Sequence, residues 1–334
     1  MAFSLRRGTN IAHWLSLSNH RGAERAAFFT ADDVRRIKNW GFDHIRIPID
    51  EEQMWDAQGR REPEAWDLLN QALDWCHAAD LRIIVDLHVL RQHFFNPKIV
   101  PPLFADPGAA EKFTALWHDL SDHLKRRSVN SVAYELMNEP VAPNADDWNR
   151  VALRAFAHLR RQETKRYIVL GSNRWNSTDT FDQLRITDDP RCILTFHFYL
   201  PMLITHYWAE WWAGGAYLGP VHYPGAPVAR EDLELLEPEL RKLVDEHNQP
   251  FGPREMEEAL AKPLAVRLKT GLPVYCGEFG CYCKCPKPLR LAWYRDVIAL
   301  FKKHNIGWAN WNYKGGFGLL CNGQDTGLAE VLLA

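Results

Sequence analysis

No stretch of this chain stays apolar for long enough to cross a bilayer as a helix. Its first residues, Met1-Ala2-Phe3-Ser4-Leu5-Arg6-Arg7-Gly8, lack the apolar core of a secretory leader. A cytoplasmic location is the expectation, or a secreted one if a leader has been removed. Charge of one sign is missing too. Forty Lys and Arg face 42 Asp and Glu, a net of −2, so there is no electrostatic footprint for nucleic acid or an acidic membrane surface. Low-complexity tracts, Pro/Ser linkers and short repeats are absent, which leaves one domain spanning 1–334 and expected to be a monomer. Cysteine is sparse and odd in number at seven. Only Cys281, Cys283 and Cys285 cluster, and zinc sites favour wider spacings than one residue. Alternation puts the middle thiol opposite the outer two, so free thiols are the simpler account. No strand end carries His-x-His. The expectation is therefore no metal and no organic cofactor.

What is present is apolar bulk and tryptophan. Of the 334 residues, 46% are hydrophobic, enough to bury a large core, and 14 are Trp. Most of those indoles belong to the core; the excess tilts toward a ligand with flat apolar faces, such as a sugar. Short β-rich runs alternate with amphipathic stretches, the pattern of βα units around a parallel sheet. Strands are expected at 8–14, 43–49, 82–88, 131–138, 167–172, 192–198, 272–279 and 306–312. Helices are expected at 30–40, with Thr30 and Asp33 as a cap, and at 64–79, 109–127, 146–164 and 291–304. Eight such units are the tally of a closed (β/α)8 TIM barrel. One connection breaks the rhythm. Residues 199–258 form an insertion after the sixth strand whose first half holds Tyr199, Tyr207, Trp208, Trp211, Trp212, Tyr217 and Tyr223. Such aromatic density argues against disorder and for a subdomain over one side of the barrel mouth.

Two glutamates stand where strands give way to loops: Glu139 before Pro140, and Glu278 two residues before Gly280. Either alone reads equally well as an ordinary polar residue closing a strand. Parallel strand ends converge on one face of a barrel, however, and two carboxylates there suit the cleavage of a glycosidic bond, which needs an acid and a nucleophile. The same face should collect Arg46, His88, Asn138, His197, Tyr199 and Trp311. A strand His or Arg is commonly a satisfied core residue. A cation, imidazoles, an amide, a phenol and an indole around two carboxylates is a rarer conjunction.

With Asn138-Glu139-Pro140 after an apolar run, Glu278 within Gly-Glu-Phe-Gly, and Gly8, Asn10 and Trp14 spaced as Gly-x-Asn-x-x-x-Trp, the chain resembles glycoside hydrolase family 5 from about Gly8 onward. It is most similar to that family's compact single-domain endoglucanases. The resemblance implies a retaining mechanism with Glu139 as acid/base and Glu278 as nucleophile. It also implies that Arg46 lowers the pKa of Glu278, that Asn138 meets the sugar 2-hydroxyl, that His88 lines the subsite of the reacting sugar, that His197 lies near Glu139 and Tyr199 near Glu278, and that Trp311 is the stacking floor. Trp208, Trp211 and Trp212 are candidate sugar contacts further out. Ala12-His13-Trp14 departs from the Gly-Gly-Trp of many relatives, and the Cys281–Cys285 segment has no counterpart, so subsite shape stays open. An endo-β-1,4-glucanase acting on β-linked oligo- or polysaccharide is the leading expectation. A mannanase, β-1,3-glucanase, β-glucosidase or transglycosidase would use the same residues, and a non-catalytic sugar-binding protein is the remaining class.

Overall fold

A computed structural model describes residues 3–96 and 98–334. Eight parallel strands close into one barrel in sequence order: β1 (Arg7–Asn10), β2 (His44–Ile49), β3 (Arg82–Leu87), β4 (Val132–Glu135), β5 (Ile168–Gly171), β6 (Cys192–Phe198), β7 (Val274–Phe279) and β8 (Gly307–Asn310). The main outer helices are α1 (Ala31–Trp40), α2 (Pro63–Ala78), α3 (Pro107–Leu124), α4 (Ala145–Gln162), α5 (Ala261–Thr270), α6 (Lys287–His304) and α7 (Leu328–Leu333). The cap anticipated at Thr30 is formed, with the Asp33 carboxylate accepting from the Thr30 N–H at 2.9 Å. Asp33 also accepts from the Tyr313 hydroxyl at 2.7 Å, which ties the loop after β8 to the start of α1.

Several strands are shorter than their apolar runs. β1 stops at Asn10, β4 at Glu135 and β8 at Asn310. Beyond those points regular pairing ends, although Ile11, Leu136 and Trp311 still donate to Arg46, Val169 and Phe279 on neighbouring strands, and the residues that follow form the mouth of the barrel. His13, for example, sits at φ 63° in the loop after β1. Strand pairing needs a neighbour in register, which the hydrophobic pattern alone does not report.

The barrel interior is filled at its N-terminal end by Ile84, Ala133, Val169, Ile193, Tyr275 and Ala309. Above them lies a polar layer. The larger core lies between strands and helices and buries Trp14, Trp55, Trp117, Trp148 and Trp293 almost completely. At about 25 cal/mol per Å² of apolar surface, indoles buried in this way are major contributors to stability. Among the described residues, no helix is long and apolar enough to cross a membrane.

The connection from β6 to β7 carries short helices at Met202–Thr205, Arg230–Glu234, Pro238–His247 and Pro253–Ala259 before α5. Tyr207, Tyr217 and Tyr223 are buried within it.

Candidate active site

Alternation along a strand decides which side chains reach the barrel axis. On β2, β3 and β6 it places Arg46, Asp86 and His197 inside without help. On β7 it does not. Tyr275 faces inward, so strict alternation would put Gly277 inside and turn Glu278 toward the helices. The β6–β7 register slips here: Phe196 pairs with Cys276, but His197 pairs with Glu278. Gly277 is the extra residue of a bulge, and the bulge turns Glu278 into the site. A β-carbon at Gly277 would stand 2.7 Å from Thr195 Oγ1, so the position needs glycine.

Arg46 organises the centre. Its Nη1 donates to Glu278 Oε1 at 2.7 Å and to Asn10 Oδ1 at 2.9 Å. Its Nε and Nη2 clasp both oxygens of Glu135 at 2.7 and 3.0 Å, and Nη2 also reaches Asn138 Oδ1 at 2.8 Å and Asp86 Oδ2 at 3.0 Å. The guanidinium is fully buried, and its carboxylate neighbours keep it firmly protonated. Glu135 and Asp86 were not anticipated as members of this network. Their signal was present: Glu135 lies four residues before Glu139, and Asp86 two before His88, on the inward parity. Asn138 spends its Oδ1 on Arg46, which leaves Nδ2 as the group available to a ligand hydroxyl.

Around that centre, His197 Nδ1 lies 2.7 Å from Glu139 Oε1 and 3.6 Å from Glu278 Oε2. The Tyr199 hydroxyl donates to Glu278 Oε2 at 3.0 Å. His88 Nδ1 meets Asp86 Oδ2 at 2.7 Å, and its ring lies parallel to Trp311, centroids 5.5 Å apart with 4° between planes. Arg46, His88, Asn138, Glu139, His197, Tyr199, Glu278 and Trp311 are thus brought to one face. Burial drives the His88 and His197 imidazoles down to about 3 and about 4, so both are neutral near pH 7.

The carboxyls respond differently to this enclosure. Burial pushes Glu139 up to about 8, Arg46 opposes and the charge on Glu135 adds to the rise; a fifth of the side chain still reaches solvent. Arg46 lowers the pKa of Glu278 as expected, but the net shift of that group runs the other way. Its pKa is not lowered but raised, because burial outweighs the attraction of His197 and Arg46. Arg46, in direct contact at 2.7 Å, opposes that rise, and Tyr199 donates to the second oxygen. Asp86 is pushed up to about 7 by burial, against the pull of Arg46.

Donor atoms of Glu139, His197 and Glu278 lie within 4.8 Å of one another, the one such group among the described residues. Glu278 is committed to Arg46 and Tyr199, and His197 is hydrogen-bonded to Glu139, so the trio is a hydrogen-bonded cluster rather than a vacant ligand set. The cysteines make no ligand set either. Cys281 faces Cys285, while Cys283 points the other way toward Cys321. All are free thiols.

Asp50, at the end of β2, is a buried carboxyl beside the site. Burial raises it to about 7, and Oδ1 has no partner among the described residues although Oδ2 accepts from the Leu17 N–H at 2.7 Å. Its folded pKa exceeds the unfolded value, so its contribution to stability is complete at low pH and is lost as pH climbs toward 7. Asp50→Asn should therefore leave Tm nearly unchanged at pH 4. The variant should gain on the parent by up to about 1.4 kcal/mol per pH unit between roughly pH 4 and 7. Parallel melting curves with the same pH slope would refute this.

The candidate sugar contacts in the insertion divide. Trp211 is 61% exposed and packs edge-on to Tyr282 at 5.0 Å; Phe317 links it to Tyr199 and hence to Glu278. Trp208 leans on Tyr207 at 5.6 Å, its one aromatic neighbour among the described residues. Trp212 is partly buried, lying against Gly214 and edge-on to His247. Sequence reasoning also passed over Trp175, 37% exposed in the loop after β5, whose N–H donates to the Pro140 carbonyl next to Glu139 at 3.3 Å.

A (β/α)8 barrel with two carboxyls at its C-terminal face is an architecture suited to cleaving a glycosidic bond, which needs an acid and a second carboxylate. The family model described as "Cellulase (glycosyl hydrolase family 5)" matches residues 6–316, and the chain belongs to that family. Endoglucanase C of Acetivibrio thermocellus is 30% identical over 318 residues, 93% of this chain and 92% of that protein. Cellodextrinase A of Ruminococcus flavefaciens is 26% identical, covering 90% of this chain and 83% of its own length. The fold is shared with Cel5A of Thermotoga maritima, solved with mannotriose: TM-score 0.79, 23% identity, 98% of this chain and 97% of that one.

Proposed function

We propose that the protein is a retaining endo-β-1,4-glucanase in which Glu278 is the nucleophile and Glu139 the acid/base. The observation that carries this reading is the approach of the two carboxyls: their oxygens come within 4.8 Å of each other. Retention needs a separation of about 5–5.5 Å, and inversion roughly 6.5–9.5 Å to admit a water. The contacts of the two groups support the same assignment, since Glu278 is paired with Arg46 while Glu139, pushed up to about 8, keeps its proton near neutrality. Glu278 attacks the anomeric carbon as Glu139 protonates the leaving oxygen. Glu139 then takes a proton from water, which releases the glycosyl group. Tyr199 and Arg46 hold the attacking carboxylate, and Asn138 Nδ2 is placed to donate to the neighbouring sugar hydroxyl.

The preference for β-1,4-glucan rests on the endoglucanase and cellodextrinase relatives. It is tested by incubating the enzyme with cello-, manno- and laminari-oligosaccharides of defined length. Rapid cleavage of internal cello-linkages, with the β-anomer formed first, is expected. A first-formed α-anomer, or preference for another series, would overturn the assignment.

The insertion is assigned to remote substrate binding through Trp211. Trp211→Ala should lower kcat/KM on long cello-oligosaccharides by roughly ten- to hundredfold, about 1.4–2.7 kcal/mol, with Tm nearly unchanged. Trp212→Ala should instead lower Tm and impair all substrates alike, because its ring supports the insertion. Equal behaviour of the two variants would remove Trp211 from this role.

A further inference from the structure

The amide of Asn176 lies behind His197, on the side away from Glu139. Its backbone is left-handed (φ 53°), the last of three consecutive such residues after Arg174 and Trp175. Left-handed geometry in non-glycine residues costs energy and persists where surroundings enforce it. The space for the side chain comes from β5, where a β-carbon on Gly171 would come within 2.2 Å of Asn176 Oδ1. Asn176 is completely buried. Its Nδ2 donates to the Asn138 carbonyl in a short contact and lies 3.4 Å from His197 Nε2.

These contacts fix protons. The Asn138 carbonyl only accepts, so the amide must turn Nδ2, not Oδ1, toward it. The same NH₂ group then offers its second hydrogen to His197 Nε2, which must be unprotonated to receive it. A neutral imidazole with a bare Nε2 carries its hydrogen on Nδ1, and Nδ1 is the atom 2.7 Å from Glu139 Oε1. Oε1 is thereby occupied as an acceptor, so the acid proton of Glu139 belongs on Oε2.

We propose that Asn176 is a positioning residue that holds His197 as its Nδ1–H tautomer and so keeps the acid proton on Glu139, at Oε2, instead of on the imidazole. The proposal rests on the assignment of Glu139 as acid/base. The site has one proton to place between these two groups. An Nε2–H would point into the amide hydrogens of Asn176, which disfavours the imidazolium. The other groups facing His197 pull both ways: Glu278 from β7, and Glu135 from β4, attract a positive imidazole, whereas Arg46 from β2 repels one; His88, just after β3, would repel it only when itself protonated, far below neutral pH. Without Asn176, Nε2 would be open to a hydrogen, and burial and Arg46 would be left to oppose the pull of the two carboxylates on the proton of Glu139. Asn176 Oδ1, in its pocket against Gly171, has no hydrogen-bond partner among the described residues, so the polar contacts of this side chain run through Nδ2.

Long-range ¹H–¹⁵N spectra of the full-length protein, with ¹⁵N-labelled histidine and His197 assigned by its loss in His197→Gln, read the tautomer directly. Nε2 of His197 should resonate as an unprotonated nitrogen and Nδ1 as a protonated one from about pH 5 to 8. Asn176→Asp places an acceptor at Nε2 and should convert His197 to the imidazolium. Asn176→Ala, which deletes the donor, should leave a mixture of protonation states at Nε2. In parallel, Asn176→Asp should lower kcat/KM on cellotetraose by about 10²–10³-fold, the usual range for loss of general acid catalysis. A dinitrophenyl cellobioside, whose leaving group needs little protonation, should change within a few-fold. The alkaline limb of the cellotetraose profile should move to lower pH. A protonated Nε2 in the parent enzyme, or an Asn176→Asp variant that loses both substrates equally, overturns the proposal. Loss of the leaving-group contrast in Glu139→Ala as well would instead indict the acid/base assignment, with the tautomer still judged by the spectrum.

Discussion

Glu278→Gln should abolish turnover of every β-glycoside, lowering kcat/KM by about 10³–10⁶-fold, while the protein still folds. The amide retains the shape of the carboxylate: its oxygen can still accept from Arg46, 2.7 Å away in the parent, while its NH₂ faces the Tyr199 hydroxyl oxygen, 3.0 Å away, and can donate to it. It cannot form the glycosyl ester. Folding should survive because Arg46 keeps both oxygens of Glu135 and a contact to Asp86. Stability should change modestly. Removing the charge loosens one of Arg46's pairs, yet it also relieves the burial of a carboxylate whose pKa is already pushed up. Turnover within tenfold of the parent would take the nucleophile's role away from Glu278.

Glu139→Ala should show its largest loss on substrates with poor leaving groups. Cello-oligosaccharides should lose about 10²–10⁴-fold in kcat/KM, and an activated aryl cellobioside far less, since its departure needs little protonation. With that aryl substrate the glycosyl group should then accumulate on Glu278, because no base remains to activate water. Azide needs no base and fits the space left by the side chain, so it should restore turnover and yield a β-glycosyl azide. In the parent, the activity on oligosaccharides should fall as pH rises through about 8, where Glu139 loses its proton. That alkaline limb should vanish from the variant's azide-rescued rate on the aryl substrate. An α-azide, or equal losses on both substrates, would rule out double displacement through this residue.

The same geometry explains why the sequence was informative about one part of the site and silent about another. The βα alternation and the apolar runs sufficed for a closed barrel, because a strand covered on both faces must be almost wholly hydrophobic and every crossover needs a helix. Glu139, Glu278, Arg46, His88, Asn138, His197, Tyr199 and Trp311 were legible as strand-end residues, since barrel closure alone sends such positions to a common face. The roles given to Glu139 and Glu278 came from the family resemblance, to which the residue types add only that the chemistry is possible.

Other features could be settled only in three dimensions. The alternation along β7 would have turned Glu278 outward, and the bulge at Gly277 reverses that. A bulge is a property of a pair of strands, and no single segment records its partner's register. The direction of the Glu278 pKa shift likewise depended on how much water the closed barrel excludes, a quantity set by packing around Arg46 and not by proximity in sequence. Trp208, Trp211 and Trp212 read alike as indoles in one loop, yet they part into one leaning on Tyr207, one exposed beside the site and one supporting the insertion. Local pattern determined the barrel and which side chains arrive at its mouth. Tertiary packing decided their aim, their protons and their exposure, because each of these depends on neighbours brought from strands far apart in the chain.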